Sequence, residues 1–369
     1  MGIATTMPTR RMESAVGAQI TIDGQPYINF GGSSYLGLSS NPEILAAGIA
    51  ALRECGAGTP IPRDHFLATR WHLAVETEAV TYFRSEAALY LAGGYYFGLI
   101  AIAALRGQID AIFFDELAHY SLREAIAASA QPSYPFRHLD AADLDVQLRL
   151  HLAANDRPLI VTDGMYSSYG RIAPLDDLWR VAAQFGGRML VDESHSFGVL
   201  GATGRGAVEQ YRLAASVLSG GSLGKAFGAC GGIIPATEAE VAAFRTTPAC
   251  RGATAGLPAA AAMSAASLRH VRQHPELLQR LRANTTYMKA GLRRIGLDIA
   301  DSIAPVAGFV IGSRAAMQAL QRQLMSAGIF VYLTTYVGSG TAGAIRCAIF
   351  ADHTQEHMDR LLDALERFL

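Results

Sequence analysis

The chain has 369 residues, of which 50% are hydrophobic and 17% charged, against a charged share of about 25% in ordinary soluble domains. Lys plus Arg is 31 and Asp plus Glu 32, a net charge of −1, so no global field draws the chain to nucleic acid or to an anionic membrane. Its hydrophobicity excludes disorder as the main character and predicts a large core, together with surface hidden in a subunit interface.

Residues 1–17 carry Arg10 and Arg11 but no apolar stretch, so they do not read as a secretory signal. Met1-Gly2 followed by Thr6 fits a myristoylation pattern so short that chance explains it. Residues 1–45 lack a strand–helix rhythm and are expected to join a C-terminal domain or a partner subunit. The uncharged run 87–105 approaches the ~20 residues a bilayer needs. Gly93-Gly94 and Tyr95-Tyr96 interrupt it, which predicts a buried strand at 89–92, a glycine turn and a buried helix instead of a membrane span. Further strands are expected at 111–114, 158–162, 188–191, 215–219 and 231–235, with helices at 121–130 and 175–185. Apolar strands separated by helices predict a mostly parallel sheet covered on both faces. A long helical pattern follows over 258–295, broken at Pro275. Strands at 308–311, 330–333 and 345–350, with helices at 315–327 and 354–368, complete a smaller α+β unit. The expected organisation is an N-terminal segment 1–45, a large domain 46–260, and a small domain 261–369 that includes the linking helix. Cys55, Cys230, Cys250 and Cys347 form neither a C-x-x-C pair nor a zinc spacing, which points to free thiols in a reducing, cytoplasmic setting and to no metal.

Ligands of open α/β sheets bind at the carboxyl ends of strands. In the first such segment Asp192 ends a strand and His195 follows three residues later; a capping acid and a surface histidine are the plain alternative. In the second, Lys225 lies among glycines and apolar residues, within 219–228. A desolvated lysine has a lowered pKa and serves as a nucleophile or base; a solvated loop lysine is the alternative. Residues 220–224 also fit the hydrolase elbow G-x-S-x-G around Ser222, with Asp301 and His353 following in the order of an acid and a histidine. Ser222 to Lys225 fits S-x-x-K but lacks its companion motifs. The third segment, 115–121, places His119 after a strand.

Taken together, Asp192, His195 and Lys225 have the order and spacing of fold-type I pyridoxal-phosphate (PLP) enzymes. Within that group the chain resembles the α-oxoamine synthases, from about Tyr27 to the C-terminus. The resemblance is carried by Asn29-Phe30 through Tyr35-Leu36-Gly37-Leu38, His72 with Glu76, Asp115 through Ser121, Asp163-Gly164 through Ser167, and Ile172-Ala173-Pro174-Leu175. It continues through Asp192 to Arg205-Gly206, Ser222 to Gly232, Ala304-Pro305-Val306, and Ile345-Arg346 with His353-Thr354.

The resemblance implies an α/β fold-type I transferase with a mostly parallel central sheet and a smaller α+β C-terminal domain. It implies PLP on Lys225, Asp192 against the pyridine nitrogen, His119 stacked on the ring and His195 on the phenolic oxygen. The phosphate would lie at the helix start Gly94-Tyr95-Tyr96, where backbone N–H groups and the dipole favour an anion. Ser222 would add a hydroxyl, and Thr254 another from the neighbouring subunit of a homodimer. Arg346 would take the amino-acid carboxylate, Ser33 would line the substrate, and Ser167 and His72 would stand near the cofactor and the acyl carbonyl. The implied reaction joins a small amino acid (alanine, glycine or serine) to an acyl thioester of CoA or a carrier protein, usually with decarboxylation.

Transamination, aldol cleavage, a serine hydrolase using Ser222 and a non-catalytic binding protein are the alternatives. The chain departs from the family pattern at Ser33-Ser34, at 59–64, at Ser168-Tyr169-Gly170 and at Ser194, which leaves the amino acid and acyl donor open. Tyr90, Tyr95, Tyr96, Phe97 and Tyr169 are expected to crowd the cofactor and limit substrate size.

Overall fold

A computed structural model describes residues 9–59, 68–213 and 217–369. Seven strands make the main sheet, in the order Ala87–Leu91, Gly232–Ala236, Val217–Ser222, Arg188–Asp192, Pro158–Asp163, Ala111–Asp115 and Ser133–Phe136. Gly232–Ala236 runs antiparallel to both its neighbours, and the other pairs are parallel. Because successive strand residues point to opposite faces, each strand feeds two cores. Tyr90, Phe113, Ile160, Met189 and Val191 face one, with helices Pro42–Cys55, Arg70–Phe83, Leu175–Gln184 and Pro258–Gln273 over them. Leu89, Leu91, Ile112, Leu159, Val161 and Leu190 face the other, under helices Tyr96–Ala104, Tyr120–Ser129 and Glu238–Arg245. This two-sided burial is why the strands read as continuous apolar runs.

The uncharged stretch forms strand Ala87–Leu91, a glycine turn and helix Tyr96–Ala104. No helix among the described residues is long and apolar enough to cross a membrane. The long pattern after residue 257 is two helices, Pro258–Gln273 and Glu276–Arg294, separated at Pro275, whose ring cannot continue the hydrogen-bond ladder. The first packs on Pro42–Cys55 and Arg70–Phe83 of the large unit, the second on Gln355–Phe368. The expected boundary at 260/261 falls inside helix Pro258–Gln273, and helix Glu276–Arg294 spans both units, its Leu277, Leu278 and Leu281 in the large core and its Met288 and Leu292 in the small one.

The small unit holds the antiparallel sheet Val306–Phe309, Ala344–Ala348 and Tyr332–Thr334. The N-terminal hairpin Gln19–Ile22 and Gln25–Asn29 adds to this unit by parallel pairing with Ile329–Phe330, so residues 19–29 join the C-terminal unit. Edge strand Ser133–Phe136 and helix Ala141–His151 were not anticipated; Pro135 in the strand masks its pattern, and proline is tolerated only at an edge. The start of the expected strand 215–219 lies outside the described residues, as do 60–64 of the altered stretch 59–64. Cys55, Cys230, Cys250 and Cys347 form no disulfide among the described residues.

Candidate active site

Asp163 and Asp192 are register partners on adjacent parallel strands, so their carboxyls end side by side, both buried. Ser194 N–H donates to Asp192 Oδ1 at 2.8 Å, and His119 N–H donates to Asp163 Oδ2 at 2.9 Å. Burial and then the adjacent Asp192 charge push the Asp163 carboxyl well above the usual carboxylate range. Like charges side by side in a dry site oppose each other's ionisation.

Lys225 follows the neighbouring strand Val217–Ser222, in the turn before the sheet reverses into Gly232–Ala236. Burial lowers its amine to about 8; Asp192 and Asp163 pull it back up, and Arg346 pushes it down. Among the described residues no hydrogen bond reaches Nζ. Lys225 and Lys289 are the only lysines in the sequence, so composition alone narrows a catalytic lysine to two positions.

His119 caps helix Tyr120–Ser129: its Nδ1 accepts the Ser121 N–H at 3.1 Å and lies 2.7 Å from Ser121 Oγ. Burial holds this ring below its usual pKa, so it is neutral near pH 7. Ring centroids of Tyr95, Tyr120 and Tyr336 lie 6.1, 6.4 and 5.8 Å from it. These three are the aromatic wall of the site. Of the aromatics expected there, Phe97 is fully buried in the sheet core, and Tyr90 is buried with its hydroxyl donating to the Cys230 carbonyl. Tyr169 instead donates to the Ser339 carbonyl at 3.3 Å.

His195 Nδ1 lies 2.8 Å from the Tyr35 hydroxyl. Burial, then the charges of Lys225 and Arg346, hold its pKa well below the ordinary value. Arg346, buried on strand Ala344–Ala348, donates Nε to the Ser167 carbonyl at 2.7 Å, Nη1 to the Gly32 carbonyl at 2.6 Å, and Nη2 to Tyr35 Oη at 3.3 Å. Ser33 follows Gly32, and its carbonyl accepts the Tyr35 N–H at 2.8 Å. Among the described residues no carboxylate pairs with this guanidinium. A buried unpaired charge is costly and marks a place for an anion.

The turn before helix Tyr96–Ala104 meets Ser222: a Cβ on Gly94 would stand 2.6 Å from Ser222 Cα, so only glycine fits. Ser222 Oγ accepts the Gly224 N–H at 3.0 Å, and Ser222 N–H donates to Ser194 Oγ at 2.9 Å. The Gly94 and Tyr95 amides have no hydrogen-bond partner among the described residues. Free amides at a helix start beside a hydroxyl suit a phosphate. The Tyr95 and Tyr96 side chains are exposed, and Tyr95 Oη donates to Glu124 at 2.6 Å.

The two other expected residues are His72 and Thr254. His72 is buried on helix Arg70–Phe83, its nitrogens 2.8 Å from Thr69 Oγ1 and 3.1 Å from the Gly256 carbonyl, with Tyr90 beside it. Thr254 is exposed and lines a cavity of about 790 Å³ with Leu91, Ala92 and Tyr96. The hydrolase constellation does not form. His353 is buried between Phe30 and Phe350 and bonded to the Phe350 amide and the Asn29 carbonyl, and the fully exposed Asp301 pairs with Arg293. Chain order alone suggested that triad; aromatic packing removes it.

Tyr35 and Asp163 lie within the motifs that carry the resemblance, and Asp163 is marked in the sequence as a second strand-end acid. Glu193, next to Asp192, is buried and pushed up to about 7, chiefly by burial. It accepts from Ser196 Oγ and the Ala207 and Val208 amides, which makes it a brace for the loop carrying His195. Tyr120 lies in the segment 115–121 beside His119, and Tyr336 has no sequence signal.

Fold and site define a class: a fold-type I transferase built around a lysine, a strand-end acid and an anion cradle. The residues fit PLP, which needs an accessible amine without a partner, a carboxylate and a phosphate site, all present here. The family aminotransferase class I and II matches residues 25–365. An 8-amino-7-oxononanoate synthase from Exiguobacterium sibiricum is 33% identical over 96% of this chain and 92% of its own. A solved Sphingomonas wittichii serine palmitoyltransferase superposes with a TM-score of 0.92 at 27% identity, over 97% of this chain and 91% of that one. A solved SPT with PLP gives 0.91 at 25% identity, over 98% and 92%. The chain belongs to the class I and II aminotransferase family and, within it, to the PLP-dependent α-oxoamine synthases.

Proposed function

We propose that the chain condenses a small amino acid, alanine first, with an acyl thioester, releasing the thiol and carbon dioxide and giving an α-oxoamine. The observation that carries this reading is the buried Arg346, unpaired by any carboxylate among the described residues and electrostatically coupled to Lys225. Three of its five N–H donors are taken by neutral oxygens, leaving two for a carboxylate. That fixes the Cα of an amino acid near Nζ of Lys225. No second cation of the cluster awaits an acidic side chain, and the Tyr95, Tyr120 and Tyr336 rings limit volume, so the side chain is small.

Lys225 holds and moves the Cα proton. With a pKa of about 8, roughly a tenth of its amine is neutral at pH 7, a working compromise for a base. Bound PLP supplies the electron sink that makes the bonds at that Cα labile. Asp192, oriented by the Ser194 amide, presents its carboxyl to the pyridine nitrogen. His119 offers its neutral ring face and His195 a hydrogen bond to the phenolic oxygen. Gly94, Tyr95, Tyr96 and Ser222 receive the phosphate. Thr254, exposed beside the same helix start, adds a hydroxyl across the interface of a homodimer. Ser33, Ser167 and His72 belong to the reading as substrate-side residues. The acyl chain remains of medium or long length, and the setting cytoplasmic.

The test is product analysis by mass spectrometry with alanine and a series of acyl-CoA and acyl-carrier thioesters. An α-oxoamine with stoichiometric thiol supports the reading. Turnover that needs no thioester, or turnover only with glutamate or aspartate, overturns it.

A further inference from the structure

Arg346, Tyr35 and His195 come from three separate parts of the chain: a small-unit strand, the N-terminal turn and the loop after Asp192. Tyr35 is 0% exposed, and its backbone is fixed on both sides, its N–H to the Ser33 carbonyl and its carbonyl to the Ala351 N–H. Its hydroxyl oxygen lies 3.3 Å from Arg346 Nη2 and 2.8 Å from His195 Nδ1.

The donor inventory sets the direction of these bonds. A guanidinium only donates, so the Tyr35 oxygen accepts from Arg346. The Tyr35 O–H then needs an acceptor, and among the described residues His195 Nδ1 is the one in reach. If His195 instead carried its proton on Nδ1, the two N–H groups would face one oxygen and the phenol proton would be buried without a partner, a state buried polar groups avoid. His195 is neutral, because burial and the nearby Lys225 and Arg346 charges oppose a second proton.

We propose that Tyr35 is a positioning residue that fixes His195 as the Nε2–H tautomer, so that its free N–H is presented to the site, and ties that orientation to the arginine that receives the substrate carboxylate. The proposal deepens the synthase reading in one respect: the group that meets the histidine N–H is the cofactor's phenolic oxygen. The tautomer itself belongs to the chain and is measurable without cofactor or substrate. A carboxylate at Arg346 would draw the guanidinium's hydrogen bonds toward itself, and Tyr35 would pass that change to His195.

The test is long-range proton–nitrogen NMR of 15N-histidine-labelled protein, with the His195 signals assigned by their loss in His195→Gln. The wild type is expected to show His195 with Nδ1 unprotonated and Nε2 protonated, both without cofactor and with PLP. Tyr35→Phe keeps the ring that fills the core and removes the hydroxyl alone. It should leave His195 as a mixture of tautomers and lower kcat for the reaction about three- to tenfold, the range of one lost hydrogen bond, with KM for the amino acid changed less. A wild-type Nδ1–H tautomer, or an unchanged tautomer in Tyr35→Phe, overturns the proposal. Failure of the synthase reading would show as absent condensation in the wild type and leave the NMR result standing.

Discussion

The two lysines of this chain are a natural experiment. Lys225 lies at the carboxyl end of the main sheet and Lys289 on helix Glu276–Arg294 of the small unit, and burial lowers both amines to about 8. Lys289 is 3% exposed and donates to the Ser302 carbonyl at 2.8 Å and Ser302 Oγ at 3.0 Å. Lys225 is partly open to the cleft, and among the described residues no hydrogen bond reaches its Nζ. A depressed pKa therefore does not by itself mark a nucleophile. A lysine whose protons are all committed to oxygens braces a fold, and one left free beside two carboxyls can take up an aldehyde and release it.

The sharpest way to break that distinction is Lys225→Ala. It should lower condensation by about ten-thousandfold, the upper reach of general acid–base catalysis, and abolish borohydride trapping of PLP on the chain. With only one other lysine, peptide mapping is unambiguous; a trapped adduct on Lys289 would reverse the assignment. Next in size is Asp192→Asn. The side chain keeps its shape and loses its charge, so PLP should still bind while deuterium exchange at the alanine Cα falls about a hundredfold or more. Wild-type exchange rates in that variant would reduce Asp192 to a strand-end cap.

Most of this site was legible because strand ends and glycine turns write themselves into sequence. Asp192, Lys225 and Ser222 stand where buried apolar runs stop, and Gly94 where a turn admits no Cβ. What stayed hidden depends on contacts between distant segments. Tyr336 reaches His119 from a turn held by Ser168 Oγ donating to the Val337 carbonyl at 2.6 Å, a bond across 169 residues of chain. The Tyr35 bridge spans 160 residues to His195 and 311 to Arg346. Conversely, Phe97 and Tyr90 looked like pocket aromatics because sequence proximity to the glycine turn says nothing of which sheet face they meet. The hydrolase order of Ser222, Asp301 and His353 failed for the same reason.

The charge that faces Lys225 from the substrate side gives a third, smaller effect. Arg346→Ala removes the carboxylate's charge-assisted partner, a net loss of about 1.5–3 kcal/mol, so KM for alanine should rise on the order of ten- to a hundredfold. Arg346→Lys should recover part of this, because an ammonium restores charge without the bidentate fork. Equal KM values for wild type and Arg346→Ala would move carboxylate binding elsewhere.

Lys289 supplies the smallest effect and the control for the comparison. Its folded pKa of about 8 lies below the ordinary lysine value of 10.5, so between those pH values the unfolded chain binds more protons than the folded one. Stability attributable to this group must then rise as pH goes from about 8 to 10.5, with the burial penalty fully present below that window. Lys289→Met removes the titration and leaves the Ser302 carbonyl without its donor. Other groups titrate in the same range, so the quantity to read is the difference in denaturant-unfolding free energy between wild type and variant. That difference should move in favour of the wild type across the window, while PLP trapping on Lys225 and proton exchange at Cα stay as they were. A pH-independent difference would mean that Lys289 is not desolvated as its surroundings imply. Lost trapping would mean that the two lysines are coupled and that the contrast drawn between them fails.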